Sequence, residues 1–147
     1  MAIWEWVLEA YGRPGVPQAA LDLQDRHGQN TSYLLWAVHA EVKDPALLAR
    51  AAEAARAWDR TALGPLREVR RALKPALPPF DDKAREALRE EVKGLELASE
   101  RLLMETLDRI AHRGGGAPAL EALEAASAAW GPPAPREALA ALAAALG

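Results

Sequence analysis

The amino-acid sequence predicts an all-α fold, a single-domain bundle of about six to eight helices that includes one long helix. Apolar residues recur at helical spacing along the chain, no segment alternates with period two, and β-branched residues are scarce beside many Ala, Leu, Glu and Arg. At 147 residues the chain can bury most of its apolar surface without disulfide, metal or obligate partner.

Each element follows from local signals. Trp4, Val7, Leu8 and Tyr11 form one stripe on a first helix over about Ile3 to Tyr11, which leaves Trp6 off the stripe and in need of a second neighbour. Gly12-Arg13-Pro14-Gly15 stops it, and Pro17 opens a second helix at a first-turn position where its missing N–H is no loss. That helix turns Val16, Ala19, Ala20, Leu23 and His27 inward, and Gly28 takes its left-handed C-terminal position. Asn30, Thr31 or Ser32 caps a third helix, Tyr33 to Val42, apolar almost all round and so central. Asp44-Pro45 opens a fourth, with Leu48, Ala51, Ala52 and Ala55 inward and Trp58 near its end, and Gly64-Pro65 breaks it.

A fifth helix, Pro65 to Lys74, sets Leu66, Val69 and Leu73 against Arg67, Arg70, Arg71 and Lys74, until Pro75, Pro78 and Pro79 end it. The long helix starts at Asp81 or Asp82 and reaches about His112, with Leu88, Val92, Leu95, Ser99, Leu102 and Thr106 in alternating steps of four and three. Gly114-Gly115-Gly116 reads as a flexible break. Residues 1–113 are thus expected to form the bundle core, and 114–147 a Gly-linked, Ala-rich helical hairpin or tail.

Charge and composition narrow the function. Residues 1–80 carry ten bases and nine acids and residues 81–147 eight and twelve, so neither half resembles a basic nucleic-acid-binding domain. Zero Cys removes disulfides, thiolate metal sites and a cysteine nucleophile, and fits a reducing, cytoplasmic setting. The longest nearly uncharged run, Gln29 to Ala40, is far too short to span a bilayer. His27, His39 and His112 lack metal-binding spacing, the serines lack a nucleophile-elbow context, and Gly114 to Gly116 is not followed by the Lys-Ser/Thr of a phosphate loop. No catalytic residue, metal or cofactor is expected.

The candidate sites are surfaces instead. A polar corner between the second and third helices gathers Gln24, Asp25, His27 and Ser32, joined by Arg13 and by His39 on the third helix, and defines the place for a small ligand or anion. The same groups also serve as caps, helix-surface ion pairs and core hydrogen bonds. Arg67, Arg70, Arg71 and Lys74 present a basic face suited to an acidic protein partner, with Trp6 and Trp130 as interface anchors. A helix-turn-helix reading fails, because Leu34, Leu35, Trp36 and Val38 offer a DNA major groove no hydrogen-bonding groups. The four-three stripe of the long helix adds homodimerisation as an expectation.

Two signatures carry a resemblance. Arg13-Pro14-Gly15-Val16, Leu21 with Leu23-Gln24-Asp25, Gly28 and Leu34-Leu35 form the first; Trp58, Pro65-Leu66-Arg67 and Arg70-Arg71-Ala72-Leu73-Lys74 form the second. With these the chain resembles the proteobacterial domain-of-unknown-function family 2390 over about Ile3 to Lys74, more weakly along the long helix. It departs from the family pattern where Ala20 stands for a cysteine, Asn30 for an aspartate, Ser32 for an asparagine and His39 for a tryptophan. The resemblance implies an α-helical, single-domain, cytoplasmic protein and transfers no catalytic residue. The expected function is a non-enzymatic interaction or regulatory module; the alternative is a small-ligand or anion binder, or an undescribed enzyme, at the polar corner.

Overall fold

The computed structural model describes residues 1–111 and 115–147; His112, and with it the expected end of the long helix, and Gly114 lie outside the described residues. The elements are α1 (Ile3–Tyr11), α2 (Val16–His27), α3 (Thr31–Ala40), α4 (Pro45–Trp58), α5 (Gly64–Ala72), α6 (Asp82–Ile110), α7 (Ala119–Trp130) and α8 (Arg136–Leu146), with a π-helical turn over Asp59–Leu63. The protein is an all-α helical bundle with one long helix, and no strand occurs among the described residues.

The chain divides into two compact units: one holds 1–55 with 103–147, the other 56–102. In the first unit α3 is the hub. Tyr33, Leu34, Leu35, Trp36 and Ala37 are fully buried, because a helix apolar on every side has no face to give to water. The Tyr33 hydroxyl donates to Ala126 O at 2.8 Å and the Trp36 indole N–H to Ala111 O at 3.0 Å, so both polar tips are satisfied inside. The Ala-rich C-terminal helices belong to this same unit, with α7 packed on α3 and α8 on α2. Small side chains let these backbones approach closely.

Local signals hold where the cause is local. Gly28 sits at φ 62 as the left-handed cap of α2, Asn30 Oδ1 accepts the Tyr33 N–H at 3.0 Å, and Asp44 Oδ2 accepts the Leu47 N–H at 3.3 Å. On α4 the buried residues are Leu48, Ala51, Ala52 and Ala55. The stripe on α1 is rotated from the expected one: Ile3, Val7 and Ala10 are buried, whereas Leu8 and Tyr11 are exposed. Small Ala10 permits close approach, and the bulkier Leu8 and Tyr11 are left at the edge.

Gly64-Pro65 does not break the chain's helical path. In an uninterrupted α-helix the proline ring would strike the carbonyl four residues back. Here the turn before it widens to π register, and the Gly64 N–H reaches Asp59 O. A Cβ at Gly64 would lie 2.6 Å from that same oxygen, so the widened turn needs glycine. Gly115 is more than part of a break: it lies against the Glu41–Val42 backbone, and the Ala117 N–H donates to Glu41 O at 3.1 Å.

The second unit holds the π turn, α5 and the N-terminal part of α6. No residue of α5 is fully buried, and Val69 on its apolar side is 46% exposed. The α6 stripe also splits. Val92 and Ser99 turn inward, while Leu88, Leu95 and Leu102 stay about half exposed, because steps of four carry the stripe around the helix by about 40°.

Candidate functional site

The polar corner is closed from within. Gln29, which sequence reasoning passed over, is its centre: only 3% exposed, it donates to Pro132 O at 3.1 Å and to His27 O at 3.4 Å and accepts the Ser127 hydroxyl at 2.9 Å. Ser127 in turn accepts the Ala134 N–H at 2.8 Å, and the Trp130 indole donates to Gly28 O at 2.9 Å. The α7–α8 hairpin therefore covers the corner. His27 and Arg26 both face Asp22, at 3.7 and 3.4 Å, Ser32 is buried, Gln24 is half-buried and Asp25 is exposed. The signal for this link lay in Ser127, a hydroxyl in the middle of an Ala-rich helix. Gln29→Ala is expected to destabilise the protein by about 2–3 kcal/mol by stranding these partners, measured by urea denaturation.

Arg13 and His39 occupy a different place. Both line a pocket of about 350 Å³ with Trp6, Glu41 and Gly147, and Gln24, Asp25, His27 and Ser32 do not line it. Arg13 donates to Leu146 O and, at 3.1 Å, to Glu9. His39 Nε2 lies 3.3 Å from Met1 O, its Nδ1 lies 3.9 Å from Asp108 Oδ1, and its ring lies 5.2 Å from that of Trp6. Trp6 thus finds its second neighbour in the histidine ring. Among the described residues no group of three His, Asp or Glu is placed to hold a metal ion.

The basic face divides too. Arg70 Nε bonds Glu96 at 2.7 Å and Arg67 approaches Asp59 at 3.7 Å, so both guanidinium groups are engaged inside the second unit. Arg71, paired at 3.4 Å with Glu68, and Lys74 remain exposed. Beside Arg67 and Arg70, burial pushes the Glu100 carboxyl above its usual range; Arg67 opposes this, Glu96 adds to it and Arg70 opposes it. The folded chain then holds this proton to higher pH than the unfolded chain, so stability should fall as pH rises from about 4.5 through the folded value. Glu100→Gln is expected to remove that slope, read from urea midpoints between about pH 4 and 8.

Next to this cluster lies an apolar groove. Leu73, Leu77, Phe80, Ala84 and Leu88 line about 330 Å³, with Asp81 and Arg85 as its polar members. Phe80 is 67% and Leu77 55% exposed, values that core packing does not explain. Arg85 fixes the groove's shape: its Nη1 donates to Leu73 O at 2.5 Å and Lys74 O at 3.0 Å, satisfying carbonyls at the end of α5. Its Nε–H is buried without an acceptor.

These arrangements supply hydrophobic contact, fixed dipoles and cations. Trp130 and Trp6 are engaged within the first unit. No helix among the described residues is long and apolar enough to cross a membrane. The chain matches no curated protein and no solved structure. A family model described as "Protein of unknown function (DUF2390)" matches residues 2–107, which takes in α1 to α5 and most of α6, and the chain belongs to that family.

Proposed function

We propose that this is a non-enzymatic protein-interaction module that docks an amphipathic helical segment of an acidic protein partner in the groove between the end of α5 and the start of α6. The observation that carries it is the groove itself, an apolar channel whose Phe80 and Leu77 stand more than half exposed. Charge selects the partner. Arg71 and Lys74, both exposed, flank Leu73, and Arg85 is a further cation among the lining residues. An apolar helix face flanked by carboxylates matches both features. The reading carries a cytoplasmic setting, with which a chain of zero cysteines is consistent.

Two labelled helical peptides sharing one Leu face, one with Glu and one with Lys on its polar face, test this by fluorescence anisotropy. The Glu peptide should bind more tightly, and Phe80→Ser and Lys74→Glu should each weaken it about tenfold. Equal binding of both peptides would remove the acidic partner; binding indifferent to Phe80→Ser would remove the groove.

A second reading rests on the shared pocket of Arg13 and His39, about 350 Å³ in volume, which suits a small anion. It requires saturable binding of a small carboxylate or phosphate by calorimetry, abolished in Arg13→Gln.

A further inference from the structure

The N-terminal part of α6 carries a line of half-exposed leucines. Leu88, Leu95 and Leu102 are 50, 56 and 49% exposed and lie seven residues apart. At 100° per residue they share one edge with Ala87, Gly94 and Ala98, all exposed, so that a strip about 120° wide is leucine on one border and small on the other. Gly94 is the odd member. It sits in the interior of a 29-residue helix, its φ is not positive, and an added Cβ would meet nothing within 4 Å. A helix-interior glycine lowers stability relative to alanine, and here nothing in the chain requires it.

We infer that this face pairs with the same face of a second copy, antiparallel, about a two-fold axis beside Gly94 and Leu95. That register seats Leu95 of one helix over Gly94 of the other and Leu102 over Ala87, so these two leucines meet small residues and the backbones approach closely, while Leu88 lies over the aliphatic stem of Arg101. Charge fixes the direction. Glu91 stands on the strip and Arg101 on its border, both exposed. A parallel pair would set Glu91 against Glu91 and Arg101 against Arg101, whereas the antiparallel pair brings each glutamate within a turn of the other chain's arginine. The strip, from Ala87 to Leu102, spans roughly 22 Å of helix, a short contact expected to give a concentration-dependent dimer. The strip shares Leu88 with the docking groove, but Phe80 lies outside it, so Phe80→Ser tests the groove and Leu95→Glu tests the strip.

Sedimentation equilibrium over a concentration series tests it. The wild type should dimerise, Leu95→Glu should be monomeric with unchanged helical circular dichroism, and Phe80→Ser should dimerise as the wild type does. Gly94→Ala gives the sharper reading: at high dilution it should melt higher than wild type, yet its dimer should dissociate about tenfold more readily. A chain without cysteines also allows directed crosslinking: Ala87→Cys chains should form disulfides with Leu102→Cys chains and not among themselves. A wild type monomeric at all concentrations, a Leu95→Glu dimer, or self-crosslinking of Ala87→Cys would overturn the inference.

Discussion

Trp36→Ala is expected to lose about 3–5 kcal/mol, a large part of the roughly 5–15 kcal/mol that holds a domain folded. The indole is fully buried on the most enclosed helix of the first unit, with its ring centroid 6.1 Å from that of Tyr33. Truncation removes its contact area and leaves a cavity walled by α3's neighbours, which are themselves held in place and collapse only partly. It also strands Ala111 O, the acceptor of the indole N–H. Trp36→Phe separates the two effects, since it keeps much of the volume and loses the donor, and should cost about half as much or less. Urea midpoints followed by far-ultraviolet circular dichroism measure both; equal losses would mean that the hydrogen bond, not the packing, dominates.

Gly115→Ala is the second large effect, expected at about 3 kcal/mol. Its Cβ would fall 2.0 Å from Glu41 O, 2.9 Å from Glu41 C and 3.3 Å from Val42 Cα. All three are backbone atoms, so no rotamer relieves the clash and the strands of chain must part, taking the Ala117 N–H to Glu41 O bond with them. Gly116→Ala is the control. Gly116 has a positive φ of 70 but open space around it, so alanine there should lose only about 1–2 kcal/mol from the left-handed backbone. Thermal melts of the pair decide between contact and conformation: if Gly116→Ala is the more damaging, the close approach at Glu41 is not what requires the glycine.

Much of the fold was legible because its causes sit within a few residues. Asn30, Asp44 and Gly28 act on their own helix ends, and the alanines of α4 report their buried face by spacing alone. What escaped depends on partners far along the chain. Gln29 meets Ser127 across 98 residues, and nothing near Gln29 announces that the Ala-rich hairpin will close over it. The candidate sites show the same division: Arg67 and Arg70 look like surface cations on a helical wheel, yet Glu96 and Asp59 take them inward. The groove is hidden for a different reason, since Leu77 and Phe80 belong to a proline-rich connection where helical periodicity gives no information. Arg13 and His39 share one pocket, while Gln24, Asp25, His27 and Ser32 do not line it, because the expected corner is divided between two places in the first unit.

The π turn at Asp59–Leu63 has a bearing on how this chain tolerates length changes. Against a regular α-helix, a π turn accommodates one surplus residue, and every side chain after it is offset by about 100° in phase. Arg67 and Arg70, which follow the turn, reach Asp59 and Glu96 with that offset in place. Deleting one residue between 59 and 63 would leave a perfectly acceptable helix and turn both arginines away from their carboxylates. The turn is therefore an indexing device: it sets which way the second unit's charges point without interrupting the helix that carries them.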